Sequence, residues 1–371
     1  MDPKVLAIYL PQFHETEYNN EWWGKGYTEW TACKAAKPLY QNHYQPRVPL
    51  DNNYYDLTNV STLENQAKLA RDYGVDGFAI YHYYSCGNKL LEKPTETLLK
   101  RKDIDVGFCL YWANHDWQKA WFGQDKRVIW KQKYGSMQDW KNHFLYCLDF
   151  FKDSRYIKFG NKPLFLIFQP WMFKEIHHFM NLWNDMAREN GFDGIYFVKT
   201  IGARNTERLE GFDAIFRREP FYTFSHGFSK ASLVMRVVRT RLAEKVNKVL
   251  NPLGRGMVGY TCDYDRMWKN IVKRNDLNSH IIPGAVTDWD NSPRKQYNAQ
   301  ILKHVSPEKF ARYFSELYYK ASNAGCPYII VNAWNEWAEG NYLEPDEKYG
   351  YGFLEGIKAT REGKAISSTR R

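Results

Sequence analysis

Eight short apolar segments, most of them separated by stretches with helical periodicity, set the strongest limit on how this chain can fold. They are apolar throughout, which is typical of parallel strands buried on both faces. The apolar segments cover residues 5–10, 77–84, 106–113, 164–169, 195–200, 214–219, 281–289 and 328–334. The helical patterns cover residues 58–73, 89–101, 137–152, 173–190 and 307–324. In a chain of 371 residues, this order predicts an α/β protein: a single (β/α)8 barrel of the TIM type with elaborated βα loops.

Polar and aromatic residues recur at the C-terminal ends of these predicted strands, where barrels of this type carry their active sites. Because side chains alternate along a strand, at most two of Tyr81, His82 and Tyr83 face inward, and we expect Trp112 and Asn114 to face inward as well. Packing and turn formation are alternative explanations for several of these residues. The strand-end residues predicted to bind a ligand are Tyr9, Gln12, His14, Tyr81, His82, Trp112, Asn114, His115, Trp289 and Asp290.

The segment 331–345 follows the last predicted strand and places two carboxylates, Glu336 and Glu339, among tryptophans and a tyrosine. Paired carboxyls beside apolar rings suit the cleavage or formation of glycosidic bonds, because one can donate a proton while the other acts as base or nucleophile. The pattern also fits a helix start with Asn335 as its cap and acids in the first turn. The aromatic neighbours favour the catalytic interpretation, with Trp334, Asn335 and Glu344 predicted to contact substrate.

The loop after the first predicted strand holds a second group of candidates. Aromatic residues make up 17% of the chain, and rings with a polar edge commonly line sites for polar ligands. Loops on this scaffold often carry function, although the tryptophans fit a plug at the barrel top almost as well. The loop residues predicted to bind substrate are Trp22, Trp23, Glu29, Trp30 and His43.

Longer motifs carry a family resemblance. In chain order they are YLPQFHETEYNNEWWGKGYTEWT, PLYQNHYQPRVPLD, YGVDGFAIYHYY, CLYWANHDW, RYIKFGNKPLFLIFQP, DWDNSPR and NAWNEWAEGNYLEPD. The sequence resembles the WbsX-like family, which is similar to the endo-α-mannosidases of glycoside hydrolase family 99. Members of the WbsX-like family occur among genes for bacterial surface polysaccharides. The resemblance covers nearly the whole chain and implies a carbohydrate-active barrel.

The resemblance also implies roles for the two glutamates. Glu336 would deprotonate a sugar 2-hydroxyl, which attacks C1 to give a 1,2-anhydro intermediate and a retained configuration. Glu339 would protonate the departing oxygen and later deprotonate water. On that basis we expect a raised pKa for Glu339 near the aromatic wall and an ionised Glu336. His115 stands where relatives often have an acid, which implies a different specificity if that position contacts the sugar.

The net charge of +10 is concentrated in one segment. Residues 230–255 contain seven basic residues and one acidic residue, a net charge of +6, on an amphipathic helical pattern. Its apolar stripe either packs on the barrel or contacts an anionic membrane surface. Nucleic-acid binding is not expected, because the basic residues are local and no recognition motif accompanies them. We therefore predict one catalytic domain over residues 1–360, with residues 230–255 as a basic helical insertion and residues 361–371 as a basic tail.

The sequence predicts neither a metal nor another cofactor. The six cysteines have no metal-ligand spacing, and no phosphate-binding glycine motif is present. Three Asp-x-Asp triplets, beginning at Asp103, Asp263 and Asp288, are weak indicators of a metal-dependent transferase. The first residues do not resemble a secretory leader, and no membrane-spanning stretch is evident, so we expect a cytoplasmic protein with free thiols, in peripheral contact with the membrane if the basic segment binds it.

Three functions remain open on the sequence. The leading hypothesis is a retaining enzyme acting on glycosidic bonds of α-linked, mannose-like oligosaccharides or polysaccharides, including lipid-linked forms. The second is a glycosyltransferase for bacterial surface polysaccharide such as O-antigen, capsule or lipopolysaccharide, on the same scaffold. The third is a non-catalytic glycan-binding protein, which the presence of both Glu336 and Glu339 argues against.

Overall fold

A computed structural model describes residues 2–118, 127–202, 207–251 and 254–364 of the chain. Eight parallel strands pair in chain order, and the first strand pairs with both the second and the last, which closes a barrel. In this closure Leu6 lies opposite Gly77 and Lys4 lies opposite Tyr328. The (β/α)8 fold predicted from the sequence is therefore confirmed. The barrel strands are β1 Lys4–Tyr9, β2 Gly77–Ser85, β3 Gly107–Trp112, β4 Lys162–Ile167, β5 Tyr196–Ile201, β6 Ala214–Arg217, β7 Ile281–Val286 and β8 Tyr328–Asn332.

Helices connect the strands and cover the barrel. The α-helices in the described ranges are α1 Glu17–Trp23, α2 Glu29–Ala35, α3 Val60–Asp72, α4 Lys93–Lys100, α5 Met137–Phe151, α6 Ile176–Glu189, α7 Phe221–His226, α8 Lys230–Leu250, α9 Tyr264–Val272, α10 Ser292–Lys295, α11 Pro307–Asn323 and α12 Gly352–Arg361. Short 3-10 helices lie at Leu50–Asn52, Pro170–Met172, Gln296–Asn298 and Trp337–Glu339. Short strands outside the barrel lie at Asn88–Leu90, Trp117–Gln118, Val128–Trp130, Lys158–Phe159, Tyr260–Asp263, Gln300–Lys303, Asn335–Glu336 and Asn341–Tyr342.

Several predicted boundaries differ from the structure. The predicted sixth and seventh strands, 214–219 and 281–289, end at Arg217 and Val286. After the sixth strand, Pro220 precedes the first residue of α7, so the chain leaves the sheet there. After the seventh strand, the Asp288 carboxylate accepts the backbone N–H of Trp289, so this N–H does not pair with a neighbouring strand. The predicted helix 89–101 begins only at Lys93, because residues 88–90 fold back on β2 as an antiparallel strand.

The helices between strands have clear sequence causes. In α11 the Ser306 side chain accepts the backbone N–H of Lys309, and Pro307 occupies the first turn, where its missing N–H costs nothing. The apolar face of α11 buries Phe310, Phe314 and other residues at helical spacing. Such faces cover the strands and make one continuous core, so the barrel is a firm support for the loops at its carboxyl end.

Helix α8 is the predicted basic segment, and only Ala243 and Asn247 are buried in it. Five residues of the predicted apolar stripe are exposed: Val234, Val237, Val238, Leu242 and Val249. The interpretation that this stripe packs on the barrel therefore does not hold for most of it, because the buried face of α8 is built from small and polar residues. None of the described helices combines the length and apolar character needed to cross a membrane.

Trp183 offers a test of how α6 is attached to the barrel. Its ring is fully buried, 4.9 Å from Phe165 of β4 and 4.5 Å from Phe179, measured between ring centroids. Replacing Trp183 with Ala should lower the free energy of unfolding by about 3–5 kcal/mol through lost burial and a cavity. Trp171→Ala is the control, because that ring is 50% exposed. Equal losses for the two variants in urea unfolding would contradict this packing.

Candidate active site

A cavity of about 250 Å³ opens at the carboxyl end of the barrel. Its walls come from the ends of β1, β2, β3, β4, β6 and β8 and from the segments that follow these strands and β7. Both predicted catalytic residues lie in it, together with four of the predicted ligand contacts, Gln12, Trp23, Tyr81 and His115. The remaining residues lining the cavity are Leu10, Tyr83, Asp116, Trp117, Ile129, Phe168, Arg218, Phe221 and Arg294.

The turn after β8 fixes the two glutamates. Residues Asn335–Glu336 pair with Asn341–Tyr342 as a short antiparallel ladder, and Trp337–Glu339 form a 3-10 turn between them. Gly340 closes the turn in the left-handed region, at φ 62°, which favours glycine. The Asn335 amide accepts the Leu10 N–H at 2.7 Å and donates to the Leu10 carbonyl at 3.0 Å. Asn335 thus does not line the cavity but ties the turn to the end of β1.

Arg294 of α10 holds the carboxylates of the site together. Its guanidinium donates to Glu339 Oε1 and to Glu29 Oε1, each at 2.7 Å, and lies 3.6 Å from Glu336 Oε2. Glu29, at the start of α2, is fully buried. A planar guanidinium suits this arrangement because it presents several fixed donors at once. One arginine therefore joins α2, α10 and the turn after β8.

Burial dominates the protonation of this cluster. It raises the pKa of Glu336 to about 8, with the nearby charge of Glu339 as the second cause. Burial also raises the pKa of Glu29 to about 7, against the opposing effect of Arg294. The sequence-based expectation of an ionised Glu336 therefore differs from the structure. The reason is that the Glu336 carboxyl is buried and its Oε2 has no hydrogen-bond partner among the described residues.

Glu344, predicted to contact substrate, lies beneath the site instead. Its two oxygens accept four hydrogen bonds, from Trp334 Nε1 at 3.0 Å, Trp337 Nε1 at 2.7 Å, Tyr55 Oη at 2.8 Å and Gln66 Nε2 at 2.6 Å. Burial raises its pKa to about 7 even so. The carboxyl satisfies buried indole N–H groups and thereby sets the position of the aromatic residues on both sides of Glu336.

Asp290 has a similar supporting role. Its carboxylate accepts Gln45 Nε2 at 2.7 Å and meets His43 Nε2 at 2.9 Å, and its backbone N–H donates to the Glu339 carbonyl at 2.7 Å. Arg47 lies beside these residues, with its guanidinium 2.8 Å from the Asp288 carboxylate. His43 and Asp290 therefore brace the turn that carries Glu339. The predicted ligand contacts that do not line the cavity are Tyr9, His14, Trp22, Glu29, Trp30, His43, His82, Trp112, Asn114, Trp289, Asp290, Trp334, Asn335 and Glu344.

Strand alternation separates the residues at the end of β2. Tyr81 and Tyr83 line the cavity, whereas His82 faces α5, where its Nε2 lies 2.8 Å from His143 Nε2. His82, His143 and Cys147 form a buried trio whose potential ligand atoms lie within 4.8 Å of one another. Among the described residues this is the one group with the composition of a metal site, and it lies outside the cavity.

Sequence reasoning missed both arginines of the cavity. Arg218 directly follows β6, and its position at a strand end was the available indication. Arg294 follows a proline in a loop motif, and its contact with Glu29 spans 265 residues, which no local pattern predicts. Tyr83, Phe168 and Phe221 were also missed. The alternation of side chains along β2 was consistent with Tyr83 facing the cavity beside Tyr81.

The chain matches the family model described as "Glycosyltransferase WbsX" over residues 5–357. It belongs to the WbsX family. The family resemblance seen in the sequence is confirmed. Two curated relatives, both "Uncharacterized protein WxcX" from strains of Xanthomonas campestris pv. campestris, are 31% identical to this chain over 358 residues. The match covers 95% of this chain and 49% of each relative, so the chain spans about half the length of those proteins.

Solved structures support the fold of this WbsX family member. The GH99 endo-alpha-mannosidase from Bacteroides thetaiotaomicron aligns with a TM-score of 0.55 and 11% identity, over 98% of each chain. A structure described as a glycoside hydrolase-like protein aligns with a TM-score of 0.57 and 12% identity, over 97% of this chain and 94% of its own. At these identities the likeness concerns the barrel fold.

Removal of Arg294 tests the charge cluster. In Arg294→Met the Glu29 carboxyl loses its cation, so its pKa rises further above the ordinary value. A carboxyl whose pKa is raised by folding costs stability as the pH rises through that pKa. The loss in unfolding free energy should therefore be small near about pH 5 and reach about 3 kcal/mol near about pH 8. Arg312→Met, at a pair whose arginine is 60% exposed, should show little pH dependence. A loss in unfolding free energy of Arg294→Met that becomes smaller as the pH rises would contradict the interaction of Arg294 with Glu29.

Proposed function

We propose that this WbsX family member acts on glycosidic bonds of α-linked, mannose-like glycans, with Glu336 and Glu339 as the reacting pair. The observation that carries the proposal is the placement of both carboxyls in one cavity, oriented by a buried arginine. Aromatic rings surround them, and such rings can stack on the C–H faces of a sugar. The substrate would be an oligosaccharide or polysaccharide, lipid-linked where it is still being assembled.

The proposed route uses the two carboxyls differently. Glu336 removes the proton from the sugar 2-hydroxyl, the resulting oxygen attacks C1, and the bond from C1 to the leaving oxygen breaks as Glu339 donates a proton to that oxygen. Water then opens the 1,2-anhydro ring at C1, giving its proton to Glu339, and the 2-oxygen recovers a proton from Glu336. A raised pKa makes the Glu336 carboxylate a stronger base for this purpose.

A glycosyltransferase is the second candidate, and the description of the matching family model favours it. The same cavity would then pass the sugar to an acceptor hydroxyl instead of water. The two candidates share Glu336 and Glu339 and differ in the molecule that opens the intermediate. Products extended by one sugar unit, rather than new reducing ends, would favour the transferase.

Glutamine substitutions test the catalytic pair. Glu336→Gln and Glu339→Gln should each lower kcat/KM by roughly 10²- to 10⁴-fold, the usual contribution of a proton-transferring group. Glu316→Gln, on the exposed face of α11, should leave the rate unchanged. The substrate panel would contain α-mannosidic and bacterial surface oligosaccharides, with products followed by anion-exchange chromatography. Activity retained by both site variants would contradict the assignment and favour a binding protein.

The pH profile gives a second readout from the same proteins. If Glu336 acts as base, kcat/KM of the wild-type enzyme should rise with pH until about pH 8, where the carboxyl becomes ionised. The Glu339→Gln variant keeps that base, so its residual rate should keep the rise. The Glu336→Gln variant should lose it. A rate that falls as Glu336 ionises would reverse the two roles.

We further propose that α8 places the enzyme on an anionic membrane surface. Val234, Val238, Leu242 and Val249 lie on one face of the helix at intervals of four and seven residues, and each is at least 50% exposed. An exposed apolar stripe on a basic helix is typical of helices that lie in a membrane interface.

Basic residues and packing contacts support the same orientation. Arg239, Arg241, Lys245 and Lys248 are exposed, so they can reach lipid phosphates around the stripe. On the opposite side, Asn247 donates to Asn298 Oδ1 at 2.8 Å, four residues after Arg294. The helix is thus fastened to the loop that carries the charge cluster, and a lipid-linked glycan would arrive close to the cavity.

Vesicle sedimentation tests this contact. The protein should bind vesicles containing anionic lipid at low salt and release as salt increases. Arg241→Gln with Lys245→Gln should weaken binding by about 2 kcal/mol, since each basic residue near the surface contributes about 1 kcal/mol. Val238→Asp should weaken it further, whereas Met137→Asp, at an exposed position on α5, should not. If the protein did not bind anionic vesicles at low salt, the proposed contact of α8 with the membrane would be wrong.

A further inference from the structure

Arg218 is a cation in the cavity wall without an anionic partner among the described residues. Its guanidinium carbon lies 5.0 Å from the ring centroid of Phe168 and 4.6 Å from that of Phe221. Its Nε is buried without a hydrogen-bond acceptor, and none of the described carboxylates approaches its nitrogens within 4.0 Å. Arginine cannot lose its charge in a protein. A partly buried guanidinium without a counter-ion therefore carries a desolvation cost that a ligand could remove.

Other buried arginines of the molecule are paired, which makes Arg218 distinct. Arg47 lies 2.8 Å from Asp288, Arg217 lies 2.5 Å from Asp276, and Arg274 and Arg294 each lie 2.7 Å from a glutamate. These four side chains are at most 15% exposed. Where a buried arginine has a structural role, the fold supplies a counter-ion, whereas no carboxylate of the described residues contacts Arg218.

His115 adds a second unpartnered polar group at the same place. Its ring centroid lies 5.0 Å from that of Phe168, the ring that also supports Arg218. Its Nδ1 is buried and has no hydrogen-bond partner among the described residues. Burial and the charge of Arg218 lower the pKa of His115 to about 4, so the imidazole is neutral and can offer one N–H and one acceptor nitrogen.

No carboxylate of the described cavity residues contacts Arg218, although the more distant charges of Glu339 and Glu336 help to raise its pKa. Glu339 and Glu29 are engaged with Arg294. The Asp116 carboxylate accepts the backbone N–H of Gln132 at 2.7 Å. Burial raises the pKa of Glu336, so this carboxyl carries a proton over much of the neutral range. An incoming anion would thus meet an unengaged cation in a partly enclosed site, where charge-assisted hydrogen bonds are strong.

We propose that Arg218 and His115 form a subsite for an acidic group on the glycan, next to the bond on which Glu336 and Glu339 act. The flat guanidinium edge suits two oxygens of one carboxylate or phosphoryl group, and the aromatic faces of Phe168 and Phe221 hold it flat. A uronic-acid carboxylate and a sugar phosphate share this chemistry. The inference rests on the proposed function for placing a sugar in this cavity, and it names an acidic glycan as the substrate class.

Ligand-observed NMR titration tests the subsite without needing turnover. Glucuronate, mannose 1-phosphate, inorganic phosphate and neutral mannose would be titrated into wild type, Arg218→Gln, Arg218→Lys and the exposed control Arg188→Gln. We expect at least one acidic sugar to bind wild type more tightly than mannose does. Arg218→Gln should weaken that binding by roughly tenfold or more, Arg218→Lys by less, and the control not at all. Preference for glucuronate or for mannose 1-phosphate identifies the source of the acidic group, and inorganic phosphate shows whether the sugar is needed.

Two outcomes would overturn the inference. One is equal binding of acidic and neutral sugars, or no binding of either. The other is unchanged acid binding in both Arg218 variants once thermal unfolding has shown that they are folded. If Arg218 served only to balance the glutamates, its loss would lower rates equally for neutral and acidic substrates and leave binding selectivity unchanged. Binding to the Glu336→Gln protein separates this inference from the proposed function. If an acidic sugar still binds that protein through Arg218, and the wild-type protein has no glycosidic activity, only the proposed function is rejected.

Discussion

The buried ion cluster around Arg294 is the interaction on which the site depends. One guanidinium contacts Glu29 of α2, Glu339 of the turn after β8, and approaches Glu336 at 3.6 Å. Removing one partner of a buried ion pair is costly, because the remaining charge is left buried and uncompensated. Because these elements are far apart in sequence, the pairing fixes the relative positions of three loops at the carboxyl end of the barrel. The rest of the cavity is arranged around it.

The surrounding polar network extends this support outward. Glu344 orients the indoles on either side of Glu336. The Asp290 carboxylate lies within hydrogen-bond distance of His43 and accepts a hydrogen bond from Gln45, and the Asp290 backbone N–H donates to the Glu339 carbonyl. Such groups hold the two carboxyls of the proposed catalytic pair in a fixed geometry, which is a general requirement for efficient catalysis. The site is therefore preorganised by residues that never line the cavity.

The sequence was sufficient for the barrel and for the position of the site. Uniformly apolar strands predict a parallel sheet because both faces are buried, and Glu336 and Glu339 follow the last strand directly. It was not sufficient to separate contact residues from supporting ones. Asp290 and Glu344 occupy strand ends as a catalytic acid would, and only tertiary contacts show that they satisfy buried donors. Arg218 and Arg294 were missed because their significance comes from contacts that no local pattern contains.

Mass spectrometry of glycans incubated in ¹⁸O-water tests the central claim most directly. Candidate α-mannosidic and acidic surface oligosaccharides would be treated with the wild-type protein and, in parallel, with Glu336→Gln. We expect one ¹⁸O atom at each new reducing end with the wild-type protein and none with the variant. Products without label, or label incorporated equally by both proteins, would contradict hydrolysis by this carboxyl pair.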